Sequence, residues 1–143
     1  MSIATRSSPT EIAQRWEIEH EQIRILAKQV LKKSSENEPE ATHRVLEALA
    51  LLIKEHFRDE HLTLLEISRD DTLLDPELQE SVETFRESFQ GLQRTLLHKI
   101  LSYSRLKQDP DEEFLRDFSI LVEHLDERFR FEEETLYPLL KTR

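Results

Sequence analysis

The chain contains no cysteine and a single glycine, Gly91. Without cysteine there can be no disulfide, no thiolate metal site, no cysteine nucleophile and no thiolate-bound iron–sulfur cluster. With one glycine there is neither a phosphate-cradling loop nor a dinucleotide fingerprint, both of which need several. Hairpin turns also call for more glycine than this, so a sheet protein is excluded. Apolar runs fall short of the ~18 residues that a bilayer-spanning helix requires. The opening MSIATRSSPTEIAQ has no apolar signal core. A cytoplasmic protein without membrane association is expected. Positive charge is the scarcer sign, with 20 Lys and Arg against 30 Asp and Glu, a net charge of −10. Such a surface repels phosphate backbones and attracts basic partners, so no nucleic acid is expected to bind.

What remains, in a chain of 143 residues, is one domain rich in Leu, Glu, Arg, Gln and Lys, all good helix formers. The expected class is all-α. Its breaks are legible. Ser8-Pro9-Thr10-Glu11 reads as a capping box with proline at the first helical position. The first helix then runs from about Pro9 to Lys33, and the second from about Glu40 to Ser68. The third begins at Asp75-Pro76 and ends near Lys107. Asp109-Pro110-Asp111-Glu112 reads as a second capping box, opening a last helix from about Pro110 to Leu140 that Pro138 bends or ends. Four long helices with short connections predict a single antiparallel up-down-up-down four-helix bundle.

Each helix carries an apolar seam at three- and four-residue spacing. The first reads Ile12, Trp16, His20, Ile23, Ala27, Val30, and the second Leu49, Ile53, His56, Glu60, Leu64, Ile67. The third reads Val82, Phe85, Phe89, Leu92, Leu96, and the fourth Phe114, Phe118, Leu121, Leu125, Arg128, Glu132, Leu139. His20, His56, Glu60, Arg128 and Glu132 are out of character. A charge at a core position is costly unless it is paired or holds a metal. With antiparallel helices His20 falls within a turn of the level of His56, His56 near that of Ser88, and Phe89 near that of Phe129. The polar seam residues therefore share one or two adjacent layers.

An internal repeat selects the same residues. His56-Phe-Arg-Asp-Glu60-His-Leu-Thr-Leu-Leu65 aligns with Arg128-Phe-Arg-Phe-Glu132-Glu-Glu-Thr-Leu-Tyr137, with Phe, Arg, Glu, Thr and Leu in common. His20-Glu-Gln-Ile23 aligns upstream with Phe89-Gln-Gly-Leu92. A lone histidine followed one helix later by His-Phe-x-x-Glu, then a second such half ending Glu-Glu-Glu-Thr-Leu-Tyr-Pro-Leu-Leu, resembles the hemerythrin/HHE cation-binding bundles. The resemblance spans about Trp16 to Leu140. It implies a non-haem iron site, mononuclear or part of a di-iron centre, with His20, His56, Glu60 and Glu132 as ligands, in a module that senses or regulates. Phe89 and Arg128 depart from the pattern at two expected histidines, and arginine cannot ligate a metal.

Arg15-Trp16, His56-Phe57 and Arg128-Phe129-Arg130-Phe131-Glu132-Glu133 are also similar to the regulator of sigma D/AlgQ family of bacterial anti-sigma proteins. That resemblance implies a metal-free bundle whose acidic surface engages a basic partner such as a sigma factor. Two arrangements of the polar residues follow: His20, His56, Glu60 and Glu132 hold one iron or manganese, or Arg128 stands in for the metal and pairs with Glu60 and Glu132 in a buried network.

The other candidates read more plainly. His98 and His124 are level across the third connection, as a second site or as boundary histidines. His43 and His61 are expected exposed, Tyr103 and Tyr137 at the boundary, and Trp16 in the core or over the site. Glu133 and Glu134 read as a solvated face. Gly91 either lets helices approach or is neutral. No nucleophilic triad with an elbow or oxyanion nest is present, so enzyme catalysis is not expected.

Overall fold

A computed structural model of the chain describes residues 8–69, 76–105 and 111–141. Among these residues the protein is all-helical, without strands: α1 (Pro9–Ser35), α2 (Pro39–Arg69), α3 (Pro76–Arg105) and α4 (Glu112–Phe131), then a π-helical turn (Glu132–Leu136) and α5 (Tyr137–Lys141). No described helix is long and apolar enough to cross a membrane.

The first cap is the expected one. Ser8 is extended, its Oγ accepts from the Glu11 amide, and Pro9 opens the helix. At the other end of α1 the Glu36 amide reaches the Lys32 carbonyl, and Asn37 takes a left-handed φ of 57°, which asparagine tolerates at a helix C-terminus. The start of α4 corrects the sequence expectation. Its N-cap is Asp111, whose carboxylate accepts from the Phe114 amide at 2.9 Å; Asp109, Pro110 and Lys107 lie outside the described residues.

α1 packs on α2, α4 and α5, and α2 packs on α3. The seams of α1 and α2 are buried at every predicted position. The α2 stripe is wider than predicted and also buries Leu46, Ala50 and Phe57. In α3, Val82, Phe85 and Leu96 are buried, while the side chains of Phe89 and Leu92 lie outside the described residues. The apolar residues form two clusters. One holds Ile23, Ala27, Val30, Leu49, Ile53, Phe118, Leu121 and Leu125. The other holds Ile12, Trp16, Leu64, Ile67, Val82, Leu136, Tyr137 and Leu140. Along α1, α2 and the last helix, the buried His, Glu and Arg side chains fall between the two, while buried Thr42 lies at the start of α2.

The last helix departs from the expected seam after Glu132. Pro138 has no amide to donate, and its ring crowds the carbonyl four residues back. The helix widens just ahead of it, with the Tyr137 amide bonded to the Glu132 carbonyl. Such a turn accommodates one extra residue. The inward face therefore shifts by one: Leu140 is fully buried and Leu139 only partly so. Tyr137, predicted at the boundary, is fully buried.

Gly91 does not serve a close helix contact. A Cβ built there meets nothing within 4 Å, and the residue is exposed inside α3. The conformational cost of a helical glycine is then uncompensated, and Gly91→Ala is expected to stabilise the protein by about 0.5–1 kcal/mol. A shift of the urea midpoint to higher concentration with an unchanged m-value is the check.

Candidate metal centre

His20, His56, Glu60 and Glu132 meet in the core. Each offers one ligand atom, and these atoms all lie within 4.8 Å of one another. All four are fully or almost fully buried. α1 supplies His20, α2 supplies His56 and Glu60 one turn apart, and Glu132 opens the π-turn. This is the set the seams selected, and Arg128, also buried, joins it.

The imidazoles are held from behind by carboxylates. His20 Nδ1 lies 2.7 Å from Glu133 Oε2, and His56 Nδ1 lies 2.7 Å from Glu19 Oε1. An Nδ1–H donated to a carboxylate fixes the tautomer and leaves Nε2 facing the core, the usual second layer of a histidine metal site. The two Nε2 atoms are 3.1 Å apart. His20 also stacks on Phe129 at 3.8 Å between ring centroids. Glu133 is steered in turn by Arg24, which lies 3.0 Å from it and 2.7 Å from Asp126.

Arg128 bridges the two carboxylates. Its Nη2 lies 3.1 Å from Glu60 Oε1 and 3.0 Å from Glu132 Oε2, and its guanidinium stands 5.3 Å over the Phe85 ring. Gln93 donates to the same Glu60 oxygen at 2.8 Å. The other oxygens turn toward the imidazoles: Glu60 Oε2 is 3.5 Å from His56 Nε2, and Glu132 Oε1 is 3.1 Å from His20 Nε2. Neither has a hydrogen-bond partner among the described residues. Two buried carboxylate oxygens and two imidazole nitrogens thus converge with bonding capacity in hand, and this donor set suits iron, manganese or zinc.

Burial and neighbouring charge separate the titrations. Burial, with His56 alongside, pushes His20 down to about 4. Burial alone would lower His56 too, but Glu19 and Glu60 outweigh it and hold this imidazolium up at about 9. Burial and the adjacent Glu60 charge drive Glu132 well above the carboxylate range. Glu60 is held far below that range: its burial is more than offset by Glu132, His56 and Arg128.

Sequence reasoning missed Glu19, Glu133, Tyr137 and Gln93. Glu133 was assigned to a solvated face and is only partly exposed, against His20. The Tyr137 hydroxyl lies 3.0 Å from His20 Nε2. Both are reached through the π-turn, for which Pro138 is the only sequence signal. Glu19 sits beside His20, one position off the seam. Trp16 is core and also covers the site: its ring is 6.4 Å from His56 and 5.8 Å from Tyr137, and its Nε1 donates to Asp59 at 2.8 Å. His98 and His124 are exposed, outside this centre, and His43 and His61 are half-buried rather than exposed. No family model, curated protein or solved structure matches the chain.

Two consequences can be measured on the metal-free protein. Arg128→Ala orphans the buried Glu60 charge and is expected to cost about 3–5 kcal/mol in chemical denaturation; a change below about 0.5 kcal/mol would place Arg128 at the surface. The folded-state pKa of His56 is raised, so its stabilisation is complete below about pH 6.5 and lost as pH rises through about 9. Glu132, also raised, acts with the same sign. The denaturation midpoint is expected to fall from pH 6.5 to 9.5, less steeply in His56→Gln.

Proposed function

We propose that this protein is a metal-binding, hemerythrin-like module, an antiparallel four-helix bundle that holds one iron or manganese ion through His20, His56, Glu60 and Glu132 and acts in sensing or regulation rather than as an oxygen carrier. The observation that carries the reading is the convergence of these four buried side chains, each imidazole backed by its own carboxylate. Charge supports it. Glu60 and Glu132 share the one guanidinium of Arg128, while Arg15 and Arg24, which face Glu19 and Glu133, are themselves shared with Asp59 and Asp126, so carboxylates outnumber guanidiniums and leave negative charges to be met. Protons on His56 and Glu132 meet them in the metal-free protein, and a divalent cation would replace both.

When bound, iron supplies a redox-active Lewis acid. The chain's own groups do the rest. Glu133 and Glu19 orient the imidazoles. Arg128 and Gln93 grip the outer carboxylate oxygens and leave the inner ones free. Phe129, Trp16 and Tyr137 keep water from the site. Arg128 therefore need not be a failed ligand; it anchors the carboxylates and limits the centre to a single ion.

A second reading has one observation in its favour. Arg128 lies within 3.1 Å of both Glu60 and Glu132, so a fixed cation already sits where a metal's charge would. On that reading the bundle is a metal-free regulator of the regulator-of-sigma-D type, binding a basic region of a sigma factor through its acidic surface.

Elemental analysis of the untagged protein after anaerobic loading with ferrous iron or manganese separates the two. Near-stoichiometric metal in the wild type, lost in His56→Ala, is the expected result. Absence of metal from the wild type would sink the first reading. Capture of a sigma subunit at low salt would then carry the second, and an empty capture would count against it.

A further inference from the structure

The surroundings of His20 Nε2 are more crowded than one imidazole nitrogen can satisfy. His56 Nε2, Glu132 Oε1 and the Tyr137 hydroxyl lie 3.1, 3.1 and 3.0 Å from it. With Nδ1–H committed to Glu133, Nε2 has one in-plane lone pair and accepts one good hydrogen bond. Three groups compete for it in a fully buried place. Glu132 Oε1 is in fact left without a hydrogen bond among the described residues.

The same spacing has a simple meaning around a metal. Nitrogen and oxygen donors bind at about 2.1 Å, so two donors at right angles stand about 3.0 Å apart. The three contacts have the edge length of such a coordination shell. The hydroxyl of Tyr137 enters on the same terms as the imidazole of His56 and the carboxylate of Glu132.

We infer that Tyr137 Oη is a fifth donor to the ion held by His20, His56, Glu60 and Glu132, and that the centre favours iron in its ferric state. The inference rests on the metal-binding reading above. Phenolate is a hard anionic ligand, and the two remaining buried oxygen donors are hard as well, a combination that selects the more highly charged ion. It also gives the π-turn a task. The inserted residue brings Glu132, Glu133 and Tyr137 onto His20 together, which a regular helix at these positions does not do. Tyr103 cannot substitute: its ring packs on Phe114 and Phe118 in the other apolar cluster.

Wild type, Tyr137→Phe and Tyr103→Phe would be loaded anaerobically with ferrous iron and oxidised with ferricyanide. Ferricyanide takes one electron per iron, and the phenol proton passes to the buffer. Iron content, visible absorption and resonance Raman spectra are then recorded. The expected result is iron in all three proteins, with a phenolate-to-iron charge-transfer band and tyrosinate ring modes in wild type and Tyr103→Phe only. Because Phe keeps the ring, loss of the band with retained iron reports on the hydroxyl and not on packing. Iron-loaded wild type without the band overturns the fifth donor and leaves the four-ligand reading standing, and wild-type Raman alone decides this if Tyr137→Phe fails to fold. A band that persists in Tyr137→Phe also overturns it. Wild type that takes up no iron overturns both.

Discussion

Moving a carboxylate from water to a protein interior costs several kcal/mol even after relaxation, and Glu60 has no exposed surface at all. Most of the surrounding arrangement answers that cost. Arg128 on α4 and Gln93 on α3 take one of its oxygens, and His56 faces the other. Each of these is itself buried or partly buried and needs a partner. Arg128 turns to Glu132, His56 turns to Glu19, and the buried Glu60 charge pushes Glu132 toward its neutral form. His20, hemmed in by these groups, stays uncharged and is secured by Glu133, which Arg24 neutralises. One desolvated charge on α2 thereby ties α1, α2, α3 and the last helix into one polar layer between two apolar clusters. An uncharged leucine at Glu60 would remove the need for nearly all of it.

Much of this was legible in the sequence because helical periodicity is strict where helices are regular. On α1 and α2 the three- and four-residue spacing selects every predicted buried position, including the histidines and Glu60. The same spacing on the last helix finds Phe114 to Glu132 correctly. It fails after Glu132 because the period itself changes there. One residue inserted by the π-turn moves the inward face from Leu139 to Leu140 and turns Tyr137 into the core. Pro138 announces a disturbance in the helix but not its direction, since proline can end, kink or widen a helix. The repeat had paired Tyr137 with Leu65, which is only half-buried; the two halves diverge at the point where the second widens. Glu19 and Glu133 were missed for a different reason. Each neighbours a seam residue in sequence, and an alternating pattern cannot see a carboxylate that reaches back over the edge of the stripe.

The repeat also clarifies Arg128. It occupies the place of His56 in the second half, yet the two do opposite things with the glutamate four residues on. His56 can lose its proton and become a ligand. Arg128 cannot, and keeps a permanent charge beside Glu132. Two partly matching halves thus build an asymmetric centre, with His20, His56 and Glu60 on α1 and α2, and Glu132 beside the fixed cation of Arg128 on the last helix.

Trp16 is the only tryptophan in the chain, and it lies against both His56 and Tyr137. Its indole nitrogen is fixed by Asp59, so the ring has little freedom of its own. An imidazolium at contact range quenches indole emission, and so does a paramagnetic ion a few ångströms further in. The protein therefore carries its own optical gauge of what occupies the polar layer, readable in dilute solution without a label.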